Sequence, residues 1–99
     1  ARETALTPEQ LIVQLQKGMQ LICNPATRLA YHLRSDGLYV FVNGECLVLP
    51  ADHDKLSALN TELQSAIGRT LNLMPFQRNE ACLKLLAWLY NQGYLVENI

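Results

Sequence analysis

Asp36-Gly37 and Asn43-Gly44, separated by the run Leu38-Tyr39-Val40-Phe41-Val42, constrain this chain more than any other feature. Both dipeptides favour the positive backbone angles of a type I′ turn, so Arg28 to Pro50 is expected to form a three-stranded antiparallel meander. Pairing outward from Asn43-Gly44 sets Val42 against Glu45, Phe41 against Cys46, Val40 against Leu47, Tyr39 against Val48 and Leu38 against Leu49. Pairing outward from Asp36-Gly37 sets Arg34 against Tyr39, Leu33 against Val40, His32 against Phe41 and Tyr31 against Val42.

Side chains alternate between the faces of a sheet, so this register sorts the meander. One face carries Leu29, Tyr31, Leu33, Leu38, Val40, Val42, Leu47 and Leu49 and is expected to be the core. The other carries Arg28, Ala30, His32, Arg34, Tyr39, Phe41, Cys46 and Val48. Its middle is too apolar for a solvated surface and its edge too charged for a second core. Arg28, His32, Arg34, Tyr39, Phe41 and Val48 are therefore the candidate contact face, an aromatic centre with a cationic edge. Cover by the first helix or by the C-terminal segment is the competing expectation, because small domains often bury both faces of part of a sheet.

Helical segments flank the meander. Thr7 can cap a first helix, with Pro8 at its first position and Gln10 completing a capping box, while Leu6 and Leu11 are placed for a hydrophobic staple. Leu11, Ile12, Leu15 and Met19 recur at helical spacing and Gly18 marks the end; a short strand over Leu21 to Cys23 can follow. Asp52 can cap a second helix whose apolar side is Leu56, Leu59, Leu63, Ala66 and Ile67, stopped by Gly68. Thr70 to Leu73 can be extended. Asn79 is expected to cap a third helix running to Asn91, apolar nearly all round and so covered on several sides, with a last strand at Tyr94-Leu95-Val96 after Gly93. The expected fold is α+β and winged-helix-like: a small antiparallel sheet, the meander plus short strands, packed with three helices. Residues 1–20 are expected to be a connecting helix and 21–99 the domain.

Ninety-nine residues, 49% hydrophobic and 17% charged, describe one globular domain with a modest core. A net charge of −1 offers no general attraction to phosphate backbones. No apolar run reaches the roughly 20 residues that span a bilayer, and no signal-peptide pattern opens the chain. Cys23, Cys46 and Cys82 are odd in number and form no C-x-x-C pair, which predicts reduced, mostly buried thiols in a cytoplasmic protein. The opening Ala1-Arg2-Glu3, without an initiator methionine, suggests a processed product, an expression scar or a fragment.

The residues that carry chemistry do not assemble into a motif. His32 is followed by Leu33-Arg34 and His53 by Asp54-Lys55, so neither forms the His-x-Asp or His-x-Glu pair common in non-haem iron sites. Ser35 and Ser57 lack a G-x-S-x-G elbow, and no cysteine has a local His base. The glycines punctuate turns and helix ends rather than forming a phosphate-cradling loop. No catalytic, cofactor-binding or metal-binding residue is assigned. A winged-helix DNA reader has the right parts, but its last helix offers only Arg78 and Lys84 as cations beside Glu80, which argues against direct nucleic-acid recognition.

The order NPATRLAYHLRSDGLYVFVNGECLVLP, an amphipathic helix, TLNLMP and LLAWLYNQGYLV resembles the C-terminal winged-helix-like domain of bacterial JmjC-type cupin oxygenases, the ribosomal-protein hydroxylases. The resemblance covers about residues 18 to 97, with Asn24-Pro25, Arg28-Leu29-Ala30, Asn43-Gly44-Glu45 and Gly93-Tyr94-Leu95 as its anchors. It implies a parent enzyme whose cupin domain binds Fe(II) and 2-oxoglutarate and hydroxylates a ribosomal protein. It also implies dimerisation through a helical segment of the parent, with this chain as an accessory module packed on the catalytic domain. None of that family's iron-binding motif falls on a position here, so no catalytic residue is carried over. A free-standing winged-helix module that binds nucleic acid or protein is the alternative.

Overall fold

The computed structural model describes residues 5–50, 53–66 and 68–98, with only the backbone at 53 and 54. The elements run α1 (Pro8–Gln16), β1 (Leu21–Cys23), β2 (Leu29–Arg34), β3 (Gly37–Val42), β4 (Glu45–Leu49), α2 (His53–Ser65), a 3-10 turn (Met74–Phe76), α3 (Glu80–Asn91) and β5 (Leu95–Glu97). This is the expected α+β, winged-helix-like arrangement. The meander orders β2-β3-β4, and β1 pairs with β5 in a separate two-stranded antiparallel ribbon. The cap expected at Asp52, the place of Ile67 on α2, the side chains of His53 and Asp54, and the opening Ala1-Arg2-Glu3 lie outside the described residues.

Local signals act as expected at α1. Thr7 Oγ1 accepts from the Gln10 N–H at 3.1 Å, and Gln10 Oε1 accepts from the Thr7 N–H at 2.9 Å. At the other end the Gly18 N–H donates to the Leu15 carbonyl and the Met19 N–H to the Gln14 carbonyl, the paired bonds of a Schellman motif around Gly18. Leu11 is fully buried, and α1 packs against α3. Asn79 caps α3, its Oδ1 accepting from the Cys82 N–H at 2.9 Å.

α3 is the hub. Cys82, Leu85, Leu86, Ala87, Leu89 and Tyr90 are buried on it, and α1, α2, β4 and β5 pack around it. A helix so apolar has no wet face to spare, which is why every neighbouring layer converges there. α2 contributes Leu56, Leu59, Leu63 and Ala66, the side expected from spacing. Thr70 to Leu73 is not a strand, although the Leu71 N–H donates to the Leu21 carbonyl at 2.9 Å. β1 has its ladder partner in β5, so this stretch joins its backbone by that bond while burying Leu71 and Leu73.

The β3–β4 register is the expected one, and Asn43 and Gly44 both take positive φ, 53° and 79°. The β2–β3 register differs by two residues: Arg34 pairs with Gly37, Leu33 with Leu38, His32 with Tyr39, Tyr31 with Val40, Ala30 with Phe41 and Leu29 with Val42. The turn is Ser35-Asp36, and neither residue takes positive φ. Asp36 is instead engaged through its side chain, accepting from the Tyr39 hydroxyl at 2.8 Å. Because side chains alternate with a period of two, a slip of two leaves both faces as expected.

Burial on the core face is uneven. Leu38, Val40, Val42 and Leu49 are buried, whereas Tyr31 and Leu33, expected in the core, are 40% and 46% exposed. They belong to β2, an edge strand; β4 is an edge too, but α3 packs on it and Leu49 is buried there.

Candidate functional site

The far face of the meander is not closed over by α1 or by the C-terminal strand. Phe41 is 43% exposed and Val48 48%. Arg28, His32 and Arg34 are also exposed, and Tyr39 is half-buried between its neighbours. Pairing sets His32, Tyr39 and Val48 in one row across three strands and Ala30, Phe41 and Cys46 in the next. The six sequence-selected residues therefore share one surface, with Arg28 just ahead of β2.

Tyr39 organises the cationic edge. The Arg34 guanidinium lies 5.4 Å from its ring centroid, and Arg34 Nε stands 3.9 Å from Asp36 Oδ1. The hydroxyl bond from Tyr39 holds the Asp36 carboxyl below its usual range, with smaller help from its own backbone and from Arg34. The same bond raises the Tyr39 phenol. Arg34 is thus pre-positioned by a ring and a carboxylate, while Phe41 and Val48 beside it supply apolar area. The surface thus combines exposed apolar area at Phe41 and Val48 with fixed positive charge at its edge.

Cys46 also lies on this face and is exposed, against the expectation of mostly buried thiols. β4 alternation puts it on the face opposite Glu45 and Leu47, its neighbours in the strand. Cys23 is half-buried and only Cys82 is buried.

A cleft of about 680 Å³ that was not legible in the sequence opens between the β1–β5 ribbon and the chain around Arg69, lined by Cys23, Pro25, Arg69, Thr70, Tyr94 and Asn98 among others. Desolvation raises the Cys23 thiol, which donates to the Leu63 carbonyl at 3.8 Å, and burial with Cys23 alongside pushes the Tyr94 phenol up to about 12. A thiol disfavoured as thiolate is a poor nucleophile. The polar walls are engaged with the fold itself: Arg69 with Glu62 at 2.9 Å, Asn98 with Thr70 at 3.0 Å, Asn24 with the Gly93 carbonyl at 3.2 Å. The cleft is a joint between layers.

Among the described residues no group of three or more His, Cys, Asp or Glu side chains is placed to hold a metal ion. No helix among them is long and apolar enough to cross a membrane.

No protein-family model matches the chain, and no curated protein matches it. Two solved structures of YcfD, a ribosomal oxygenase from Escherichia coli, do align, each with a TM-score of 0.59 over 99% of this chain. The chain is similar in fold to one part of YcfD. Identity is 22% for one structure and 25% for the other, which holds cobalt and succinic acid. The aligned region is 25% of the YcfD chain in both, so this sequence spans about a quarter of the length of the structures it matches.

Proposed function

We propose that this chain is the non-catalytic, C-terminal accessory domain of a JmjC/cupin-type ribosomal-protein hydroxylase dependent on Fe(II) and 2-oxoglutarate. The observation that carries the reading is end-to-end likeness, 99% of this chain, to one quarter of an oxygenase. The sequence anchors Asn24-Pro25, Asn43-Gly44-Glu45 and Gly93-Tyr94-Leu95 point the same way. Iron and 2-oxoglutarate belong to the catalytic domain of the parent, which is a cytoplasmic protein and a dimer through its own helical segment. α1 leads in from that parent. The surface of Arg28, His32, Arg34, Tyr39, Phe41 and Val48 docks on the catalytic domain or on the ribosomal-protein substrate.

Intact mass of the native, untagged gene product tests the reading. A product of about four times this chain's mass, containing an upstream His-x-Asp or His-x-Glu peptide, is expected from the quarter-length alignment. A native product of 11.2 kDa would remove the oxygenase and leave a free-standing binding module. In the larger product, Phe41→Ala with Val48→Ala is expected to weaken substrate or interdomain contact while leaving folding intact. Unchanged contact would remove the docking role from this face.

A further inference from the structure

β2 is an outer strand, and no strand lies beyond it among the described residues. Alternate backbone N–H and C=O groups of such a strand point away from the sheet and are free to pair with another extended chain. Proteins commonly blunt these edges with a proline, a bulge, a very short strand, an inward charge or charged side chains along the edge. Leu29–Arg34 has only the last of these, at Arg34: six residues long and proline-free, it pairs with β3 continuously from Leu29–Val42 to Arg34–Gly37.

Its side chains are sorted by chemistry. On the helix side, Tyr31 and Leu33 are exposed and border a shallow groove of about 40 Å³ whose opposite wall is Leu56, Ser57 and Asn60 of α2. On the other side stand His32 and Arg34, with Arg28 just before the strand, and all three are exposed. The strand itself carries no carboxylate. Asp36, the acid beside it, is held by the Tyr39 hydroxyl.

We propose that the β2 edge docks an extended protein segment whose side chains alternate between apolar and acidic, added to the meander as a fourth strand. Backbone bonds to β2 supply the pairing, and the alternation supplies the selectivity. Apolar side chains then cover Tyr31 and Leu33 and reach the groove against α2, and acidic ones lie opposite His32, Arg34 and Arg28. A second copy fits poorly, because its β2 brings His32 and Arg34 as basic groups and no carboxylate to set against them. The proposal holds for the domain whether or not it belongs to an oxygenase.

Nuclear magnetic resonance on the ¹⁵N-labelled chain tests it with two blocked peptides of about eight residues, one alternating glutamate and valine, the other lysine and valine. The glutamate peptide is expected to bind about tenfold more tightly or better, and to slow hydrogen exchange at the outward amides of Leu29–Arg34. Arg28→Glu with Arg34→Glu, both at exposed positions, should reverse the preference. Equal affinity for the two peptides, or no binding of the glutamate peptide at about 1 mM, would overturn the proposal. So would perturbation centred on Phe41 and Val48 instead of β2, or self-pairing of β2 as chain concentration rises.

Discussion

Asn91 imitates a β-strand partner for Leu6: its Oδ1 accepts from the Leu6 N–H and its Nδ2 donates to the Leu6 carbonyl, both at 2.9 Å. These residues are 85 positions apart. The double bond clamps the entry of α1 onto the last turn of α3, next to the capping box at Thr7 and the buried Leu11. α1 is thereby held by polar bonds at its start and apolar packing along its length.

Asn91→Ala is expected to destabilise the chain by about 1–3 kcal/mol, because both Leu6 backbone groups lose their partner at a half-buried site. Urea unfolding measures the loss. Faster hydrogen exchange at the Leu6 amide, with β3 amides unchanged at matched stability, would locate it. A loss below about 0.5 kcal/mol would mean that the clamp adds nothing beyond the α1–α3 packing.

Two meander glycines should respond to alanine for different reasons. A Cβ at Gly37 would come 2.5 Å from the Leu49 carbonyl oxygen, a backbone atom that cannot swing away. At Gly44 the space is open and only the φ of 79° resists a side chain. Gly44→Ala should cost about 1 kcal/mol, and Gly37→Ala more, with shifts spreading into β4. Equal costs in thermal unfolding would contradict the close approach of β3 and β4.

Glu62 makes stability depend on pH in the acid range. Its carboxylate takes Arg69 Nη1 at 2.9 Å and the Asn72 N–H at 2.8 Å, and these bonds, Arg69 first, hold it below its ordinary value of 4.5. The unfolded chain therefore binds the proton more readily. The contribution is present above pH 4.5 and fades as pH falls through the lower folded value. Glu62→Gln should cost about 1 kcal/mol near neutrality and progressively less in acid, read from urea midpoints across pH. A difference independent of pH would remove the ionised pair as its cause.

The thiols should separate kinetically. Maleimide is expected to label exposed Cys46 rapidly, Cys23 slowly because desolvation raises its thiol, and buried Cys82 only through opening of the fold. Mass spectrometry of timed digests gives the order, and early labelling of Cys82 would mean that α3 is not the closed hub described above.

The sequence by itself determined the local structure: the caps at Thr7 and Asn79, the stop at Gly18, the Asn43-Gly44 turn and the division of the meander into two faces. Each rests on contacts between near neighbours or on an alternation that survives even the two-residue slip between β2 and β3. It also brought Arg28, His32, Arg34, Tyr39, Phe41 and Val48 onto one surface. Only the tertiary structure decided which residues on those faces are covered. Tyr31 and Leu33 share a pattern with Val40 and Leu38, yet burial depends on what covers a strand: β3 lies between two strands and α3 packs on β4, whereas no strand lies beyond β2 among the described residues. The same holds for the Asn91–Leu6 clamp and for the cleft at Cys23 and Tyr94. Their partners are distant in the chain and meet only once the helices have packed.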